Sequence, residues 1–141
     1  MRAAKYVQGM GVVVAIAGWC AWASAGCGSG GGAGSSEMKK VMTNIKAVTI
    51  IIVDTGSKIG EKKPDAKDVK PLQTNGAKLE VLTRQLFPML TDAMCKQQGR
   101  NLAKGTGDLM KHSKAKNSEG IADAISQIRA TCSACHNCAG L

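Results

Sequence analysis

Residues 118–138 read SEGIADAISQIRATCSACHNC. Ile121, Ile125, Ile128, Cys132 and Cys135 step through this stretch at 4, 3, 4, 3, with Ala124 beside Ile125 on the same stripe. That spacing marks one face of an α-helix, because residues three and four apart lie above one another. Ser118 and Glu119 suit the positive end of such a helix. Near its C-terminal end the apolar stripe carries two thiols, so their chemistry belongs to a helix-packing interface.

The same period recurs upstream. Met38, Met42, Ile45, Thr49 and Ile52 step at 4, 3, 4, 3, flanked by Val41 and Val48, with Ser35 and Ser36 as N-caps ahead of Glu37. Gly56 to Pro64 reads as a lysine-rich loop. Asp68 is expected to cap a second helix, with Pro71 in its first turn, Leu72, Leu79, Leu82 and Leu86 as its stripe, and Pro88 near its end. A third segment runs from Thr91 or Asp92 toward His112 through Leu102, Leu109 and Met110. Its Gly99, Gly105 and Gly107 each weaken a helix by up to about 1 kcal/mol relative to alanine, which predicts a break near Gly105.

The chain has 141 residues, enough for one compact domain. Only 3% are aromatic, and Phe87 is the one aromatic beyond Trp22, which argues against a β-sandwich or barrel. No internal repeat is evident. Four helices within residues 37–141, joined by short loops, predict an all-α, antiparallel up-down-up-down four-helix bundle.

Ahead of it, Arg2 and Lys5 precede an apolar run from Val12 to Ala17 and then small residues, with no further charge until Glu37. Residues 1–26 therefore read as a secretory signal peptide. The apolar run is shorter than the roughly 20 residues of a membrane span. Two cleavage sites compete. Ala23-Ser24-Ala25 suits ordinary cleavage before Gly26, whereas Ser24-Ala25-Gly26-Cys27 resembles a lipoprotein box in which Cys27 is acylated. Residues 27–36 then supply the lipid-bearing residue and a flexible Gly/Ser tether. Either reading places the domain outside the cytoplasm, where disulfides survive.

Cys132-Ser133-Ala134-Cys135-His136 is a CxxCH motif, the attachment pattern of c-type haem. Two thiols three apart on a helix can both form thioethers with the vinyl groups of one porphyrin, and the adjacent imidazole can take the iron. A redox-active CxxC would instead open a helix, where the dipole lowers a thiol pKa. A zinc site using Cys138 as well would need four ligands within seven residues of helix, poorly placed for a tetrahedron.

A CxxCH close to the C-terminus of a four-helix chain resembles the class II c-type cytochromes, cytochrome c-prime and its low-spin relatives. The resemblance covers residues 37–141 and rests on Cys132, Cys135, His136 and the helix order, with Lys39-Lys40-Val41-Met42 as a weaker match in the first helix. It implies one covalent haem near the C-terminal end of helix four, His136 as proximal ligand, Met42 facing the distal side, and dimerisation through bundle faces. The chain departs from the family at Met38, where an arginine is frequent, and at Gly140, where a basic residue is frequent.

In such a bundle the start of helix one lies beside the end of helix four, so Met38 and Met42 both approach the haem. Met42 as sixth iron ligand, Met38 in that role, and methionines that only pack the core are the three alternatives. His112 falls roughly 24 Å along the helix from His136 and is expected on the surface. With Cys20 in the leader, Cys95 and Cys138 remain. Folding helices three and four about residue 116 brings these two to the same end of the bundle, which predicts a Cys95–Cys138 disulfide.

The net charge is +9, carried mostly by lysines on helix faces, and it suits an acidic redox partner or anionic lipid. Nucleic acid is excluded as a partner by location and by the lack of stacking aromatics. The expected function is monohaem, single-electron transfer in the periplasm, without substrate turnover. A five-coordinate haem protein binding nitric oxide or carbon monoxide, and a haem-free domain with two disulfides, are the competing readings.

Overall fold

The computed structural model describes residues 36–60 and 62–139, except for the side chains of residues 136, 138 and 139. The leader at 1–26, Cys27, the tether up to residue 35 and Gly140 lie outside the described residues. Four long helices form: α1 (Ser36–Ile59), α2 (Ala66–Leu86), α3 (Ala93–Ala115) and α4 (Ser118–Ala139), with a 3-10 turn at Phe87–Met89 between α2 and α3. No strand occurs among the described residues. Successive helices pack on each other and α4 returns to α1, which closes an antiparallel up-down-up-down bundle. None of the described helices is long and apolar enough to cross a membrane.

The predicted stripes form the core. Met42, Ile45 and Ile52 of α1 meet Leu72, Leu79 and Leu86 of α2, Leu102 and Leu109 of α3, and Ile121, Ile125 and Ile128 of α4 in one buried cluster. α1 and α4 pack together more sparsely than any other neighbouring pair.

Two helix starts differ from the sequence expectation. Asp65, not Asp68, caps α2, its Oδ1 accepting from the N–H groups of Lys67 at 2.7 Å and Asp68 at 2.9 Å. Asp68 returns the favour through Oδ2, which accepts from the N–H of Asp65 at 3.0 Å, and so completes a capping box. The two backbone donors, Asp68 before Lys67, hold the Asp65 carboxyl below its ordinary pKa. Pro71 consequently sits inside α2 rather than in its first turn, and its carbonyl accepts from the side-chain amide of Asn75 at 2.9 Å. For α4, Asn117 is the capping side chain, its Oδ1 accepting from the N–H of Gly120 at 3.1 Å. Asp92, one of the two starting positions read from the sequence, caps α3.

The break predicted near Gly105 does not occur, and α3 runs unbroken to Ala115. Packing supplies the reason. Gly105 is buried against α4, where a Cβ would come within 3.1 Å of Ile128 Cγ1, so its lack of a side chain lets the two helices approach. Gly107 faces open space. Gly107→Ala is therefore expected to raise the thermal midpoint, by roughly 4 °C for about 1 kcal/mol of helix propensity in a domain of this size. Gly105→Ala should forfeit that gain to crowding against Ile128. Thermal unfolding followed by circular dichroism checks both, and equal gains at the two positions would contradict the close-approach role of Gly105.

Candidate haem site

α4 enters the site along its buried stripe. Below Ile128, Cys135 is buried and Cys132 half-buried, one turn apart on the same side of the helix. Across from them α1 contributes Thr49, whose hydroxyl lies 3.7 Å from the Cys132 sulfur. Between α1 and α4 opens a cleft of about 460 Å³. Met42, Ile45 and Ile50 of α1, Leu86 of α2 and Leu102 of α3 form most of its apolar wall, and Cys132 and Cys135 line the α4 side. This volume falls within the range of small-molecule and cofactor pockets.

Burial pushes the Cys132 thiol pKa up, against a smaller opposite effect of the Thr49 hydroxyl. The thiol is thus held neutral, unlike the low-pKa thiolates of disulfide oxidoreductases. Attachment of a porphyrin would add each thiol across one vinyl group, sulfur bonding to one vinyl carbon and the thiol hydrogen passing to the other. The donor set and the apolar walls fit a porphyrin attached through Cys132 and Cys135.

Of the two methionine candidates, Met42 is 4% exposed and lines the cleft with the cysteines, whereas Met38 is half-buried at the edge of the core and does not line it. His136 follows Cys135 on the last turns of α4 and is placed by its backbone alone. Residue 138 is placed in the same way, at the end of the bundle where Cys95 is buried in the first turn of α3. Met89 packs partly against the core at this end, and Met94 is exposed. His112 lies at the opposite end, as its register implied, but it is half-buried rather than on the surface. Its ring packs directly over Gly120, with Nδ1 3.4 Å from the Asn117 amide nitrogen.

Two cleft residues escaped the sequence reading. Thr49 reads in the sequence only as a stripe position, although a hydroxyl within an apolar stripe is a signal of its own. Lys46 was one lysine among many, and only its place one turn after Met42 sets it apart.

No protein-family model and no curated protein matches the chain. Among solved structures it is similar to a ferrous variant of cytochrome c prime from Alcaligenes xylosoxidans, at 13% identity and a TM-score of 0.48, over 72% of this chain and 95% of that one. A nitric oxide complex of another variant of that protein aligns at 13% identity and a TM-score of 0.47, with the same coverage. Its structural neighbours are cytochromes c prime.

Proposed function

We propose that this protein is a monohaem c-type cytochrome that carries single electrons outside the cytoplasm. The observation that carries this reading is the placement of both CxxCH cysteines on one wall of an apolar cleft, with the buried Met42 on the opposite helix. When bound, the haem supplies one-electron iron chemistry. The chain's part is to hold and tune it. Cys132 and Cys135 tie the ring to α4, His136 offers an imidazole to the iron, and Met42 offers a thioether that favours the reduced state and raises the potential. Ile45, Leu86 and Leu102 line the cleft and keep water from the ring, and the protein in this reading carries electrons without turning over a substrate.

The remaining features accord with an exported carrier. Residues 1–26 act as its signal peptide, Cys27 carries lipid, and 28–35 tether the domain, which begins with α1 at Ser36, to the membrane surface. A Cys95–Cys138 disulfide closes the haem end of α3 and α4. The basic surface steers acidic redox partners, and the bundle faces allow a homodimer.

The deciding experiment is an alkaline haemochrome spectrum of denatured protein produced in cells competent for haem attachment. One covalent haem per chain is expected. Protein that carries none under those conditions overturns the reading.

A further inference from the structure

The cleft is mostly apolar, with the buried Thr49 hydroxyl inside and its other polar groups exposed. Thr49, Ser133 and Asn137 add neutral polar groups, and Lys46 is the one charged side chain among the described residues that line it. Lys46 is exposed, so it lies at the rim, one helical turn from Met42 on the face of α1 that borders the opening. The ion pairs among the described residues are Arg84–Glu80 and Lys104–Asp108, neither of which engages it. Among the described residues no carboxylate lines the cleft to neutralise it.

We propose that Lys46 receives a carboxylate of the porphyrin and fixes the ring's outer edge at the mouth of the cleft. This assignment rests on the haem reading above and extends it to a residue that reading does not use. The two vinyl groups and the two carboxylate arms of a haem lie on opposite edges of the ring. With the vinyl edge bonded to α4 through Cys132 and Cys135, the carboxylate edge is directed away from α4. A carboxylate turned inward would lie against Met42, Ile45, Leu86 and Leu102, and an unpaired charge there is costly. Turned outward toward α1, it meets the ammonium of Lys46. The lysine stem covers apolar rim while its charged head stays in water, the usual arrangement of a long cationic side chain at such an edge. The pair is partly solvated, so it positions and tunes the ring and is not needed to hold it.

The test uses full-length holoprotein and three variants: Lys46→Gln, Lys46→Arg, and Lys40→Gln, which removes the same charge from the same helix outside the cleft. Without Lys46 a carboxylate near the iron is left uncompensated, which favours the more positive oxidised state. Lys46→Gln should therefore lower the midpoint potential and shift the carboxylate-bending band in the resonance Raman spectrum. Lys46→Arg should restore both, and Lys40→Gln should leave the band in place with a smaller change in potential. An unchanged band in Lys46→Gln overturns the pairing, as does an equal fall in potential with Lys40→Gln. If the unsubstituted protein carries no covalent haem, the cytochrome reading falls together with the pairing. If it carries haem and Lys46→Gln behaves like it, the pairing alone falls.

Discussion

Protein carrying Cys132→Ala with Cys135→Ala is expected to lose its covalent haem completely while keeping the bundle. Both thiols face one cleft from one helix, so they are the groups that can bond a single ring there. The rest of the core does not depend on them. Ile52, Leu72, Leu79, Leu109 and Ile128 are fully buried elsewhere, and alanine suits the helix interior at both positions. Far-ultraviolet circular dichroism should therefore stay helical while haem staining of a denaturing gel goes blank. The single variant Cys132→Ala should retain one thioether through Cys135, with the haemochrome band displaced to longer wavelength because one vinyl group remains conjugated. A covalent band that survives the double substitution would remove both cysteines from the attachment site.

The second large effect concerns Met42. If its sulfur binds iron, the oxidised protein is low-spin, and the reduced protein resists rapid carbon monoxide binding. Met42→Ala should then turn the spectrum high-spin, lower the potential and open the site to carbon monoxide. The alanine also empties buried volume, at a cost of roughly 2–5 kcal/mol for a large-to-small core change. Met42→Leu separates the two consequences. It keeps the volume, for less than about 1.5 kcal/mol, and removes only the sulfur. Spectral conversion by both variants, with the thermal midpoint falling mainly in Met42→Ala, assigns the ligand to sulfur. An unsubstituted protein that is already high-spin and binds carbon monoxide or nitric oxide freely would instead make this a gas-binding haem protein. A low-spin spectrum unmoved by Met42→Ala would direct the search to Met38.

Much of this was present in local sequence. A stripe stepping at 4 and 3 has one face to bury, so Ile45, Ile52, Leu79, Leu109 and Ile128 pointed inward before any neighbour was known. Cys132 and Cys135 share that face by the same arithmetic, and Asp92 marked its helix because capping is a contact between near neighbours. The sequence reading names Asp68 as the cap of α2, whereas Asp65 takes that place and Asp68 is its capping-box partner. Both are capable caps by residue type, and the reciprocal pair they form satisfies backbone donors at both ends of the first turn.

The sequence by itself determined the four helices, their inward faces and the pair of thiols, since each follows from groups a few residues apart on one helix. Tertiary structure alone decided the rest. Gly105 reads as a helix breaker until α4 is seen to press against it. Met38 and Met42 lie on the same stripe, and only the approach of α1 to α4 puts Met42 on the cleft and leaves Met38 at the edge of the core. Thr49 reaches the Cys132 sulfur, and Lys46 stands at the mouth, because the sparse α1–α4 contact leaves an opening there. An opening between two helices belongs to neither sequence segment. It exists only where their side chains fail to fill the space they share.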